Sequence, residues 1–275
     1  MSTGWASLPC YSKIRVPMCT LAIFRDVSEQ LPLVVAANRD EFLARPADAP
    51  ASLADVPGVM AGRDREAGGT WLGARSEGGV LVAGLLNRRA ADGSVPATTT
   101  GRSRGLLCLD ALGAMSVDEA KNRILEPGPA LPPLSHYSGF NLLLADLDRA
   151  VVIDNGDSTR TTELDSGLSV LTNLDVNDPR CPRLASAVPR FEEVAAALSA
   201  GLDLGGLVDA LQVVLSSHES SLDPDGRSEL SKLCIHAGEY GTRSSTILAY
   251  DDGGALHYFH AAGAPCSSTY QRIPV

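Results

Sequence analysis

The chain has 275 residues, 44% of them hydrophobic, and its 33 Asp and Glu against 23 Lys and Arg give a formal net charge of −10. That is enough apolar sequence for a sizeable core in one large domain or two small ones. So acidic a surface repels phosphate backbones and anionic membranes, so no nucleic-acid partner is expected. No apolar run approaches the about 20 residues of a membrane helix; the longer ones, such as residues 80–86, are strand-sized.

Residues 1–17, MSTGWASLPCYSKIRVP, lack the apolar stretch of a signal peptide and the arginine-rich amphipathic pattern of a transit peptide. Strand-like sequence begins only after Met18-Cys19-Thr20. Either Met18 is the true start, the preferred reading, or residues 1–17 are a propeptide; in both, residues 18–275 form the domain. Residues 20–24 (TLAIF) and 33–37 (LVVAA) flank the polar turn DVSEQLP, a hairpin signal. Residues 44–58, rich in Pro, Ala and Asp, read as a loop. Residues 70–74 and 80–86 are strand-like and joined by the turn RSEGG. Ser103 fits an N-cap for a helix over residues 105–115, and residues 117–125 fit a second.

Residues 140–146, 150–154 and 168–172 are three further strands, and their short connections suit an antiparallel meander. Residues 183–200 and 204–216 have apolar positions at helical spacing. The chain closes with a hairpin, residues 244–250 and 255–260 about the turn DDGG. Strands and helices come in blocks, unlike a βαβα alternation, which points to antiparallel sheets covered by helices.

The cysteines at 10, 19, 108, 181, 234 and 266 form no CxxC pair, and none stands at zinc-ligand spacing to a histidine. His257 and His260 fall on opposite faces of a strand. No metal or cofactor is therefore expected, and His136, His218, His236, His257 and His260 are not expected to cluster with the cysteines. Scattered cysteines without a secretion signal suggest a reducing cytoplasm.

Gly101-Arg102-Ser103-Arg104-Gly105 matches the G-x-S-x-G nucleophile elbow, but PATTT precedes it where the elbow needs a buried strand, so helix capping by Ser103 is the better reading. Asn38-Arg39-Asp40-Glu41 ends the second strand. It reads either as a solvated turn or, if the first two strands pair, as a carboxylate returned to the chain start. There Asp40 can orient an α-amine on Cys19. With a pKa near about 8, that amine can take the thiol proton as general base. Asn87 and Asn173 each end an apolar strand, as terminators or as oxyanion donors. Arg243, in Tyr240-Gly241-Thr242-Arg243, reads as a surface residue by itself.

Together, Cys19-Thr20-Leu21-Ala22-Ile23-Phe24, Asn38-Arg39-Asp40-Glu41-Phe42, Gly68-Gly69-Thr70-Trp71-Leu72-Gly73, Ser103-Arg104-Gly105, Tyr137-Ser138-Gly139-Phe140-Asn141-Leu142 and Tyr240-Gly241-Thr242-Arg243-Ser244-Ser245-Thr246 resemble the NRDE family, also called the transport-and-Golgi-organisation protein 2 family. More distantly, the order of Met-Cys-Thr, a strand ending in Asp, Val-Leu-Thr-Asn and a late Thr-Arg is similar to choloylglycine hydrolases and penicillin V acylases. The resemblance implies an α+β fold, a four-layer αββα sandwich of two antiparallel sheets (the N-terminal-nucleophile hydrolase fold). It implies Cys19 as nucleophile, its amine as base, Asp40 as orienter of that amine and Asn173 as oxyanion donor. The hydrolases carry an arginine where this chain has Ala37; Arg39 shares that strand face and is a candidate substitute. Ala83-Gly84-Leu85 aligns with the hydrolases' Ala-Gly-Leu before Asn, but Leu86 intervenes before Asn87 and a one-residue slip reverses the side-chain face, so a backbone N–H is the alternative to Asn87 as donor. Arg243 is the remaining active-site cation by position. The implied activity is hydrolysis of a C–N amide bond in a small molecule. Because eukaryotic members are associated with haem or lipid handling, carriage of haem or lipid is the alternative. Amine-base catalysis requires a mature chain that begins at Cys19; intact-mass and N-terminal mass spectrometry of protein from its own host is expected to show that start, and retention of residues 1–17 would count against it.

Overall fold

The computed structural model describes residues 19–89, 101–129, 131–219 and 228–275, so residues 1–17 and Met18 lie outside the described residues. In chain order the elements are β1 (Thr20–Arg25), β2 (Leu33–Phe42), β3 (Ala47–Ser52), β4 (Val59–Asp64), β5 (Leu72–Arg75), β6 (Val82–Asn87), α1 (Arg104–Leu112), α2 (Val117–Leu125), β7 (Phe140–Ala145), β8 (Ala150–Asn155), β9 (Thr159–Leu164), β10 (Gly167–Leu171), α3 (Pro182–Ser199), α4 (Leu204–Leu215), β11 (His236–Ala237), β12 (Tyr240–Tyr250), β13 (Leu256–Ala261) and β14 (Gln271–Ile273).

Two antiparallel seven-stranded sheets result. One has the order β10-β1-β2-β12-β13-β14, with β11 added to β12; the other runs β3 to β9 in sequence. Strand alternation sorts the side chains into three apolar layers. Leu21, Ile23, Val35 and Ala37 face the other sheet and meet Val82, Leu143 and Val152. Their neighbours Ala22, Phe24, Val34 and Ala36 face α3 and α4, against Phe191, Leu207 and Leu211. On the far side, Ala83, Leu142 and Val151 pack under Leu107 and Leu112 of α1 and Ile124 of α2. The layering is αββα. No helix among the described residues is long and apolar enough to cross a membrane.

The helices begin where their caps dictate. Ser103 Oγ accepts from the Gly105 amide at 3.3 Å, so Ser103 caps α1. Ser116 Oγ accepts from the Glu119 amide at 3.3 Å, and Glu119 reaches back to the Met115 amide at 2.9 Å, in the manner of a capping box.

Three sequence expectations are corrected. Residues 44–58 are not all loop: residues 47–52 form edge strand β3, whose Pro50 at an irregularity in the pairing with β4 masked the signal. Residues 168–172 do not continue the meander. β10 crosses to the other sheet and pairs with β1, and β9, which alternation did not flag because its first five residues are exposed, takes the edge beside β8. The first helix ends at Leu112, capped at Gly113, short of residue 115.

Gly69 carries a close approach on which the site depends. A Cβ there would lie 2.2 Å from the carbonyl carbon of Gly105, because the start of α1 rests directly on this backbone and the Thr70 amide donates to Gly105 O at 3.0 Å. Gly69→Ala is expected to cost about 1–3 kcal/mol by overpacking in urea unfolding. Gly128→Ala, in open space, is expected to change stability by less than about 0.5 kcal/mol.

Candidate active site

Pairing of β1 with β2 sets Thr20 opposite Asn38 and thereby brings Cys19 to the end of the sheet beside Arg39 and Asp40. The Cys19 thiol lies 3.8 Å from the Asp40 carbonyl oxygen. It opens onto a cavity of about 530 Å³ whose lining includes Cys19, Arg39, Asp40, Asn87, Arg243 and His260. Five of the six expected site residues thus line one cavity. Asn173 is outside that lining: it is buried in the turn after β10, and it and Cys19 each lie two residues beyond the Leu21–Leu171 pair.

The two faces of β2 do different work. Arg39 faces the second sheet and reaches Asp64 of β4 at 3.3 Å, and Arg45 reaches the same carboxylate at 2.6 Å. Burial raises the Asp64 carboxyl, but hydrogen bonds from Arg45 and from the Ala67 and Glu66 amides outweigh it and hold it below its usual range. Asp40 faces α3. Its Oδ2 accepts from Arg183 Nη1 at 2.9 Å and its Oδ1 from Thr242 Oγ1 at 2.7 Å. Arg183 Nη1 also donates to Thr20 Oγ1 at 2.6 Å, and Nη2 to the Leu230 carbonyl at 2.9 Å. Both ends of the ion pair are fully enclosed, at 0% and 1% exposure. Burial pushes the Asp40 carboxyl up, to about 6, against the lowering by Arg183 and Thr242. It is therefore ionised at neutral pH.

A β-bulge makes this geometry possible. β12 pairs Thr242 with Asp40 and Ser244 with Arg39, so Arg243 is an extra residue. The insertion reverses the alternation of the strand, which is how Thr242 comes to share the helix face with Ser245, three residues on. Arg243 is left to the cavity. It has no hydrogen-bond or ion-pair partner among the described residues, and its Nε is buried. Across from it His260 receives 3.0 Å contact at Nδ1 from Thr246 Oγ1; burial and then the Arg243 charge press its pKa down to about 4, so it is neutral at pH 7.

Burial first, then the Asp40 charge, push the Cys19 thiol up to about 12. The thiol is therefore neutral at pH 7, and among the described residues its side-chain contact is to the Asp40 carbonyl and to no basic group.

Sequence reasoning missed Arg183 and Thr242. A signal existed for the first: Arg183 lies four residues before Ala187 and eight before Phe191, on the buried stripe of α3 where an apolar residue is expected. The expectation that no histidines cluster with cysteines is also overturned. His218, Cys234, His236 and Cys266 offer donor atoms that all lie within 4.8 Å of one another. They come from three separate segments, so no linear spacing announced them.

Matches to known proteins agree with this architecture. A model of the family described as Transport and Golgi organisation 2 matches residues 18–262. The chain is similar to the Transport and Golgi organization protein 2 homolog of Bos taurus, 30% identical over 260 residues that cover 82% of this chain and 84% of that protein. It is as similar to the Homo sapiens homolog, 30% identical over 252 residues with the same coverage. Among solved structures it resembles the Caenorhabditis elegans N-acylethanolamine-hydrolyzing acid amidase ortholog, with a TM-score of 0.51 and 15% identity over 84% of this chain and 92% of that one; this likeness concerns the fold.

Removing one partner of the enclosed ion pair leaves a buried unpaired charge. Arg183→Met is expected to destabilise the chain by about 3–5 kcal/mol, measured by urea unfolding at pH 7. Combining it with Asp40→Asn is expected to recover part of that loss, and strict additivity in this double-mutant cycle would show that the two charges do not support one another.

Proposed function

This chain belongs to the Transport and Golgi organisation 2 family, and we propose that it works through its cavity as an N-terminal-nucleophile amidase, hydrolysing a C–N amide bond in a small substrate that carries an anionic group. The observation that carries this reading is the Cys19 thiol in a cavity wall that also holds Arg243, whose side chain has no partner among the described residues. The amidase named among the structural neighbours supports it.

The lining counts five arginines and four carboxylates. The carboxylates are already answered: Asp40 by Arg183, Asp48 by Arg65, Asp64 by Arg45, and Glu41 by Arg39 at 3.8 Å. Arg63 is answered by Asp55. That leaves Arg243 and Arg104, the latter bonded to the neutral Gly139 carbonyl at 2.9 Å, as cations without a carboxylate partner among the described residues. A substrate carboxylate near the scissile amide meets that excess.

Release of residue 18 places an α-amine beside the sulfur. In its protonated form it reverses the local field and stabilises the thiolate, as a neighbouring cation does elsewhere. Asp40, held ionised from behind by Arg183 and Thr242, orients it. The thiolate attacks the amide carbon while the thiol proton resides on the amine. Asn87 on the cavity wall and Asn173 beyond β10 are the side-chain donors for the oxyanion. The α-ammonium then protonates the leaving nitrogen as the C–N bond breaks, giving a thioester and free amine. Water, deprotonated by the same α-amine, attacks the thioester and releases the acid and the thiol. In the reducing cytoplasm the nucleophile stays a thiol.

The test is a panel of N-acyl amino acids, N-acyl-homoserine lactones, bile-acid conjugates and β-lactam side-chain amides, run on chain that begins at Cys19. Turnover is expected for carboxylate-bearing members, with none in Cys19→Ala and only a trace in Cys19→Ser. Iodoacetamide at pH 8 is expected to alkylate Cys19 at least about tenfold faster in processed chain than in chain retaining residue 18, since burial suppresses the thiolate in the latter. Undiminished hydrolysis by Cys19→Ala would refute the mechanism, and absence of turnover alongside tight haem or lipid binding would establish carriage instead.

A further inference from the structure

A second constellation lies behind the sheet, apart from the cavity. Three segments build it. After α4 the chain passes through Ser217 and His218 and later returns beside itself, the Cys234 amide donating to Ser217 O at 3.0 Å. Cys234 lies in the bend before β11 and His236 opens that strand. Cys266 arrives in the loop after β13, which α4 anchors through Gln212 Nε2 to Pro265 O at 3.3 Å.

Three of the donor atoms stand close to the spacing of a tetrahedral ion's ligands, and the fourth, from His218, lies within 4.8 Å of them. Cys234 Sγ is 3.5 Å from Cys266 Sγ and 3.7 Å from His236 Nε2, and His236 Nε2 is 3.2 Å from Cys266 Sγ. With Zn–S of about 2.3 Å and Zn–N of about 2.0–2.1 Å, the edges of a tetrahedral Cys2His2 site are about 3.8 Å between sulfurs and about 3.5 Å from sulfur to nitrogen. The His218 ring lies 5.1 Å from that of His236, centroid to centroid. Its Nδ1 is 3.1 Å from the Cys234 carbonyl oxygen. Only a protonated Nδ1 makes that contact favourably, which leaves the lone pair on Nε2, the orientation second-shell bonds impose on metal-binding histidines. Both cysteines are free, and their separation far exceeds a disulfide bond. Donor atoms within 4.8 Å of one another leave room for one ion and not for a two-iron cluster.

We propose that His218, Cys234, His236 and Cys266 bind one structural Zn²⁺. Two thiolates and two imidazoles match the softness and tetrahedral preference of that ion, and four protein ligands leave no open position for catalysis. Its effect is on position. The segment it clamps is the one that supports the ion pair behind Cys19. Leu230 O accepts from Arg183, Leu233 O accepts from Asn38 Nδ2 at 2.9 Å, and the Ile235 amide donates to Thr242 Oγ1 at 2.9 Å. The ion thus ties the end of α4, the approach to β11 and the C-terminal loop into one support for the two side chains that hold Asp40. The proposal stands whether or not the cavity hydrolyses an amide.

Full-length chain purified under reducing conditions without chelator is expected to contain about one zinc per chain by mass spectrometry of the elements. Reconstitution with Co²⁺ is expected to give the intense visible bands of a tetrahedral site together with thiolate-to-metal charge transfer. Cys266→Ser and His218→Gln are expected to weaken zinc at least about tenfold, measured by competition with a chromophoric chelator, while Cys19→Ala keeps it. Zinc is also expected to raise the melting temperature of the wild-type chain and not of Cys266→Ser. Should a variant fail to fold, the wild-type zinc content and cobalt spectrum decide the matter alone. Wild-type chain with no zinc while Cys234 and Cys266 are both reduced, an octahedral cobalt spectrum, or a Cys234–Cys266 disulfide in the reduced preparation would each overturn the proposal.

Discussion

The enclosed ion pair between Asp40 and Arg183 is the constraint on which the rest of the molecule turns. Two charges taken fully out of water are tolerable only when neighbouring groups supply further hydrogen bonds. Here each partner is met from a different element. Thr242 of β12 answers the second oxygen of Asp40, and Thr20 of β1 and the Leu230 carbonyl answer Arg183. One pair therefore locks β1, β2, β12, α3 and the approach to β11 in register, directly behind the residue whose thiol faces the cavity.

The strand alternation divides this work by face. On the helix face of β2, Asn38 and Asp40 hold structure: Asn38 bonds the carbonyls of Leu215 and Leu233, which tethers α4 to the sheet. On the opposite face, Arg39 reaches across to Asp64 and joins the sheets at the cavity. The asparagine-arginine-aspartate-glutamate run is thus a strand end that points alternately into a support and into a site. The bulge at Arg243 adds the complementary device on β12. It aims Thr242 at the support and leaves an unanswered guanidinium for the site.

The cavity's electrostatics follow from this pairing. A lining so rich in charge is nearly neutral where acid meets base, and its character is set by the few groups left over. Arg243 and Arg104 are those groups, and the neutral His260 beside them takes no part in the charge balance. The Cys19 thiol is pushed up by the same burial that shapes the wall, and by the Asp40 charge behind it.

The amino-acid sequence by itself determined whatever depends on neighbours along the chain. The hairpin of β1 and β2, the four helices, the cap at Ser103 and the final hairpin follow from periodicity and turn chemistry. The position of Cys19 before β1 and of Asp40 at the end of β2 placed both at one sheet end, since an antiparallel register is simple arithmetic. Tertiary structure alone decided what depends on residues far apart. Arg183 meets Asp40 across 143 positions, and Thr242 meets it across 202. β10 leaves its sequence neighbours to flank β1. Cys266 meets Cys234 across 32 positions, which no ligand-spacing rule covers. Local patterns state which face a side chain takes; they carry no information about which distant side chain that face will meet, because that is settled by the packing of whole layers.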